Sequence, residues 1–187
     1  MASIEVMIST RAELITAIEG GLTPRYAFFW GHTPREAAVV DRACFSQWYP
    51  RAFEVAGVRY PSAEHWMMAQ KARCFDDAEA LARILESPSP ADAKALGRTV
   101  RNFDDAVWAS KRFETVVTGN VAKFSEHPEL KAVLIATGED VLVEAAPRDL
   151  VWGIGLGAAN PRAVDPRAWR GLNLLGFALM QVRARLA

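Results

Sequence analysis

Leu172-Asn173-Leu174-Leu175-Gly176-Phe177-Ala178-Leu179-Met180-Gln181-Val182-Arg183-Ala184-Arg185-Leu186 sets Leu172, Leu175, Leu179, Val182 and Leu186 at successive steps of three, four, three and four residues. That spacing lines one face of an α-helix with a stripe that faces a core. The same rule, with capping residues and breakers, predicts helices over 62–74, 76–86, 90–97, 104–124 and 128–137, and a short one over 10–19 closed by Gly20-Gly21. Strand-like runs are few. Residues 28–30 and 52–60 have strand character, and Ala56-Gly57 between Val55 and Val58 predicts a tight hairpin. Residues 141–143 and 150–152 are short strand candidates, and 153–166, rich in Gly, Pro and Asn, reads as a loop. There is no internal repeat, and Ser87-Pro88-Ser89-Pro90 is too short for an interdomain linker. The expected architecture is therefore mainly α: a single multihelical domain over residues 1–187 with a small antiparallel β element.

Composition narrows the function classes. The chain has 187 residues, 51% of them hydrophobic and 24% charged, as in a globular domain able to bury a core. Twenty-two Lys and Arg balance twenty-two Asp and Glu, so no whole-molecule field favours a polyanion such as nucleic acid. Residues 160–187 carry five arginines and one acid, a local excess that suits a phosphate or a solvated face. Cys44 and Cys74 are too few to staple the domain, which favours a reducing, cytoplasmic setting. Residues 1–14 include Glu5, Arg11 and Glu13 and lack the apolar core of an export signal. The most apolar stretch falls far short of the roughly 20 residues that span a bilayer.

Several residues can carry chemistry. Glu64 falls in the first turn of the 62–74 helix, and Lys71 returns seven residues later to within about 20° of the same face, ~10.5 Å along the axis. Between them Met67 and Met68 form an apolar floor, and the pair suits the two ends of a small polar ligand. The plainer alternative is an acid that caps the helix dipole and a solvated lysine. Glu64-His65 does not begin a zinc-protease motif, because Ala69 stands where the second histidine is required. His32, His65 and His127 are scattered and read as structural; no metal is expected. Trp108 lies about 140° from the Phe113, Val117, Val121, Phe124 stripe of its helix, so it leaves the main core face. There it either stacks on a heterocycle or packs against another element. Asp149 and Trp152 precede Gly153-Ile154-Gly155-Leu156-Gly157, where glycines permit close approach of a ligand. That run is no dinucleotide fingerprint, since its third glycine comes one residue early and Asn160-Pro161 blocks a helix.

Taken together, several segments make the chain similar to the NADAR, or YbiA-like, family. They are 44–50 (Cys-Phe-Ser-Gln-Trp-Tyr-Pro), 60–71 (Tyr-Pro-Ser-Ala-Glu-His-Trp-Met-Met-Ala-Gln-Lys), Gly97-Arg98, Arg101-Asn102-Phe103, Trp108, Lys123-Phe124, Asp149, Trp152-Gly153-Ile154-Gly155 and 169–176 (Trp-Arg-Gly-Leu-Asn-Leu-Leu-Gly). They occur in the family's order over about 28–185. Departures are Gln47, where many relatives carry Asn, and a longer 31–43 segment.

The resemblance implies an N-glycosidase without cofactor or metal that cleaves a ribose–amine C–N bond. Its substrate would be a phosphorylated ribosylaminopyrimidine of riboflavin biosynthesis, or ADP-ribosylated guanine. A non-catalytic ADP-ribose or nucleotide-binding module is the alternative of another class, and the presence of both Glu64 and Asp149 leans toward catalysis. By the same resemblance Glu64, Asp149, Lys71 and Trp108 are the catalytic set, with Lys71 binding phosphate or trapping the opened ribose aldehyde. Ser46, Gln47, Trp48, Arg98, Arg101, Trp152, Gly153 and Asn173 bind substrate.

Overall fold

A computed structural model describes residues 8–36 and 38–187. Residues 1–7, part of the stretch read as lacking an export signal, lie outside them, as does Ala37 within the 31–43 segment. Thr10 opens α1 (Arg11–Glu19) with a capping box: its hydroxyl accepts from Glu13 N while the Glu13 carboxylate accepts from Thr10 N. Strand β1 (Tyr26–Phe29) follows, then a 3-10 turn at Arg42–Phe45, the hairpin β2 (Phe53–Val55) and β3 (Val58–Tyr60), and four helices in close succession. These are α2 (Ala63–Cys74), α3 (Ala78–Glu86), α4 (Pro90–Gly97) and α5 (Asp105–Glu126). The chain then forms α6 (Pro128–Ile135), β4 (Val141–Glu144) and α7 (Leu174–Leu186).

The predicted helices are all present, and Ala56 and Gly57, both at positive φ, make the hairpin turn. The β structure differs from expectation in two respects. β2 and β3 pair antiparallel, whereas β1 and β4 pair parallel, Tyr26 against Val141 through Phe29 against Glu144. Neither β1 nor β4 can reveal its distant partner locally. Residues 150–152 are not a strand but a turn whose carbonyls receive the start of α7: Leu172 N, Leu174 N and Leu175 N donate to Leu150, Val151 and Trp152 O. These carbonyls satisfy N–H groups that a helix cannot bond internally at its first turn.

Helix α7 packs against α5 and β4. Leu175, Leu179 and Val182 of the stripe are buried, yet so are Gly176, Phe177, Ala178 and Met180, so the helix is sheathed on more than one side. Leu172 lies just before the helix and is 43% exposed. Gly176 is required here, because a Cβ would run into the Leu142 carbonyl and the Asn173 side chain. Arg183 is also buried and ties α7 to the α6–β4 turn through Thr137 Oγ1 and, at 2.9 Å, Asp140 O. Among the described residues no helix is long and apolar enough to cross a membrane.

Candidate active site

The carboxyl ends of the parallel strands β1 and β4 open onto a pocket of about 480 Å³. Crevices at this end of parallel strands are common ligand sites, because the chain leaves the sheet there in loops free to vary. Trp30 and His32 follow β1, and Glu144 and Asp149 come from the end of β4 and its loop. Ser46, Trp48 and Lys94 complete much of the wall.

Glu64 is held beside this wall by its helix and by its neighbours. Ser62 caps α2, and its hydroxyl meets His65 Nδ1 at 2.7 Å while His65 Nε2 meets Ser87 O at 3.1 Å. A carbonyl accepts only, so Nε2 carries the proton and Nδ1 accepts from Ser62; His65 is a buried brace. Glu64 N donates to Gln47 O at 2.9 Å, and the Trp48 side chain hydrogen-bonds to the Glu64 carboxyl. The carboxyl is only 3% exposed, and burial pushes its pKa up to about 7, opposed by Lys94, the Trp48 bond and Arg98 and assisted by Asp149. Its Oε1 has no hydrogen-bond partner.

The loop that carries Ser46, Gln47 and Trp48 is clamped from α5. Fully buried Lys123 donates to Cys44 O at 2.7 Å and Ser46 O at 3.2 Å, and Asn120, one turn earlier, donates to Gln47 Oε1 at 2.8 Å. Burial lowers the Lys123 pKa to about 8. Within the pocket the Lys94 ammonium lies 5.8 Å from the centroid of Trp48, whose other neighbour is the His32 ring, also at 5.8 Å. Asp149 Oδ1 accepts from Val151 N and Trp152 N at 2.9 and 2.8 Å, which fixes the loop after β4.

The structure brings together Ser46, Trp48, Asp149 and, through Trp48, Glu64. Gln47 contributes its carbonyl and a buried amide clamp, and Arg98, at the end of α4, acts on Glu64 through its charge. The other expected residues lie off the pocket wall. Lys71 Nζ donates to Gly97 O at 2.8 Å and sits 3.9 Å from the centroid of Phe103. Lys94 is thus the lysine whose field reaches Glu64. Trp108 does not offer a free stacking face: it is 6% exposed and borders a shallow recess with Gln70, Arg73 and Cys74, because α2 covers the face that the α5 stripe leaves open. Arg101 does not line the pocket but pairs with Asp77, the residue that caps α3, and with Glu79. Its Nη2 meets Asp77 Oδ1 at 2.7 Å and its Nη1 meets Glu79 Oε2 at 3.4 Å.

Gly153 allows close approach of the chain itself rather than of a ligand; a Cβ there would stand 2.8 Å from Ala146 Cβ. Trp152 is half-buried against the core. Asn173 is fully buried in the left-handed region, φ 56°, and extends the β4 edge by donating to Leu142 O and accepting from Glu144 N. Sequence reasoning missed Glu144 and Lys94. Glu144 announced itself only as an acid closing a strand five residues before Asp149, and Lys94 gave no sign. Among the described residues no three His, Cys, Asp or Glu side chains are grouped to hold a metal ion.

The fold as a whole matches that of a solved protein. The NMR structure of YbiA from Escherichia coli superposes with a TM-score of 0.70 at 28% identity, over 88% of this chain and 86% of that one. Residues 28–187 match the NADAR domain family, and the chain belongs to it. An N-glycosidase of Acanthamoeba polyphaga mimivirus is 41% identical over 166 residues, 86% of this chain and 96% of its own length. The E. coli N-glycosidase YbiA is 32% identical, over 79% of this chain and 83% of its own. A chloroplastic riboflavin biosynthesis protein of Zea mays is 34% identical over 68% of this chain and 20% of its own length. The protein is accordingly an enzyme, a hydrolase of the N-glycosidase class, which sets aside the reading as a binding module.

Proposed function

We propose that the enzyme hydrolyses the C–N bond between ribose and an amine in a phosphorylated ribosylaminopyrimidine of riboflavin biosynthesis. The observation that carries this reading is the buried carboxyl of Glu64 beside Asp149 and the Lys94 ammonium. Cleaving a ribosyl–amine bond places positive charge on the anomeric carbon, and a carboxylate in a site of low dielectric stabilises that charge and accepts a proton from attacking water. Glu64 takes that role, Asp149 orients the ribose hydroxyls, and Lys94 meets the phosphate. The maize relative's name supports the substrate class.

Lys71, whose Nζ donates to Gly97 O off the pocket wall, is the candidate to replace water as nucleophile only if it leaves that carbonyl for the substrate. The ring-opened riboside presents an imine at C1; the amine of Lys71 adds, the base amine leaves, and the resulting imine is hydrolysed to free ribose and Lys71. Burial lowers the pKa of Lys71, which favours the free amine.

A second reading, hydrolysis of ADP-ribosylated guanine, is favoured by one feature. A neighbouring cleft of about 670 Å³ shares Trp30 with the pocket and is lined by Phe28, Arg35 and Arg42, groups suited to a diphosphate and a second heterocycle. Mass spectrometry of products from the two substrates separates the readings. Free aminopyrimidine and ribose 5-phosphate support the first, and ADP-ribose released only from modified guanine overturns it.

A further inference from the structure

Glu144 is the last residue of β4, and its position is fixed from two sides. Its backbone N–H donates to Asn173 Oδ1 at 2.9 Å, and its carbonyl accepts from Ile154 N at 2.9 Å. The side chain is thereby aimed from the strand end into the pocket, where it forms part of the wall. Its Oε2 is buried and has no hydrogen-bond partner. The groups whose charges act on it are Asp149 from the following loop, Lys94 from α4 and Glu64 from α2. An ionised carboxylate left buried without a donor is costly, whereas a carboxylic acid in the same place needs only an acceptor, which an incoming substrate nitrogen supplies. Asp149 is the reverse case, because its Oδ1 already receives two backbone N–H groups.

We propose that Glu144 is the catalytic acid of this site, delivering the proton that lets the amine leave. The inference rests on the N-glycosidase reading above. As the C–N bond breaks, its electron pair stays on nitrogen, which takes the proton from Glu144 Oε2. The anomeric carbon receives the oxygen of water, whose proton passes to the Glu64 carboxylate, and exchange with solvent returns Glu144 to the acid. If the amine of Lys71 attacks in place of water, the departing nitrogen needs the same proton. Burial, with Asp149 next in effect, raises the Glu144 pKa to about 8, and burial raises that of Glu64 to about 7. Near neutral pH Glu144 therefore still holds the proton it is to give, and Glu64, opposed in its upward shift by Lys94, the Trp48 hydrogen bond and Arg98, supplies the carboxylate that accepts one.

The test is the hydrolysis of N-aryl ribosylamines whose ring substituents grade the basicity of the leaving aniline, corrected for spontaneous breakdown. The wild-type enzyme should show rates nearly independent of that basicity. Glu144→Gln should lose 10²-fold or more on basic anilines and recover toward wild type on electron-poor ones, which leave unprotonated. Glu64→Gln should lose activity evenly across the series. The wild-type rate should also fall as pH rises past about 8, and Glu144→Gln should remove that limb. A steep dependence on leaving-group basicity in the wild type overturns the proposal without any variant. So does a Glu144→Gln enzyme that keeps wild-type rates on basic anilines or loses activity evenly. A wild-type enzyme that cleaves no ribosylamine refutes the N-glycosidase substrate reading itself, before the acid is in question.

Discussion

Glu64→Gln removes a charge while keeping the side-chain volume and the backbone bond to Gln47 O. We expect kcat to fall 10²-fold or more, with the circular dichroism spectrum unchanged. A loss of folding would instead return Glu64 to the capping role that its first-turn position also permits. Lys71 is tested by reduction with borohydride during turnover, which should fix the ribose fragment to Lys71; Lys71→Arg should prevent the adduct. Turnover without an adduct makes Lys71 a cation that serves only the Gly97 carbonyl. At this scale the sequence was informative where a residue type is rare in its setting. An acid opening a helix that reads Glu-His-Trp-Met-Met stood out, and so did Asp149 before glycines. For Trp108 a helical wheel gives the angle but not what covers that face, so stacking and packing stay open in the sequence; in the structure α2 lies over it. Lys94 is one of five lysines and nothing local distinguishes it.

Local signals revealed the helices: side-chain caps at α1 to α5, Pro128 at the start of α6 and the apolar stripe of α7. They failed for the sheet, since the parallel partner of Tyr26–Phe29 is four residues long and far along the chain. They failed for residues 150–152 because their carbonyls bond to a helix start rather than to a strand. Asn173 shows what such a junction does. It closes the β4 edge with two side-chain hydrogen bonds and turns the chain into α7 from a left-handed conformation. Asn173→Ala should destabilise the protein by about 2–4 kcal/mol, leaving a strand N–H and C=O unpaired and a non-glycine residue strained, as read from urea unfolding. Because the lost bond anchors Glu144, kcat should fall further than stability alone predicts when both are measured well below the unfolding transition.

For the molecule as a whole, Glu64, Glu144 and Lys123 dominate how stability depends on pH up to about 9, above which the buried Cys44 thiol, pushed up to about 12, opposes Lys123. The pKa values of Glu64 and Glu144 are raised in the folded state from 4.5 to about 7 and about 8, so the unfolded chain releases these protons first and stability falls as pH rises from 4.5 to about 8. The pKa of Lys123 is lowered from 10.5 to about 8, so above pH 8 the unfolded chain binds the extra proton and stability recovers until Cys44 opposes it. Denaturant midpoints measured across pH 5 to about 9 should pass through a minimum near 8, and the double variant Glu64→Gln, Glu144→Gln should flatten the acidic side of that minimum. The pairing of β1 with β4 carries a consequence for how the enzyme is made. Helices α2 to α5 meet near neighbours in sequence, but Tyr26 must find Val141, and closing so long a loop is slow. In stopped-flow refolding the helical signal should return before catalytic activity, since the pocket has walls that follow each strand. On the ribosome the nascent chain should be largely helical yet inert until β4 has emerged and docked.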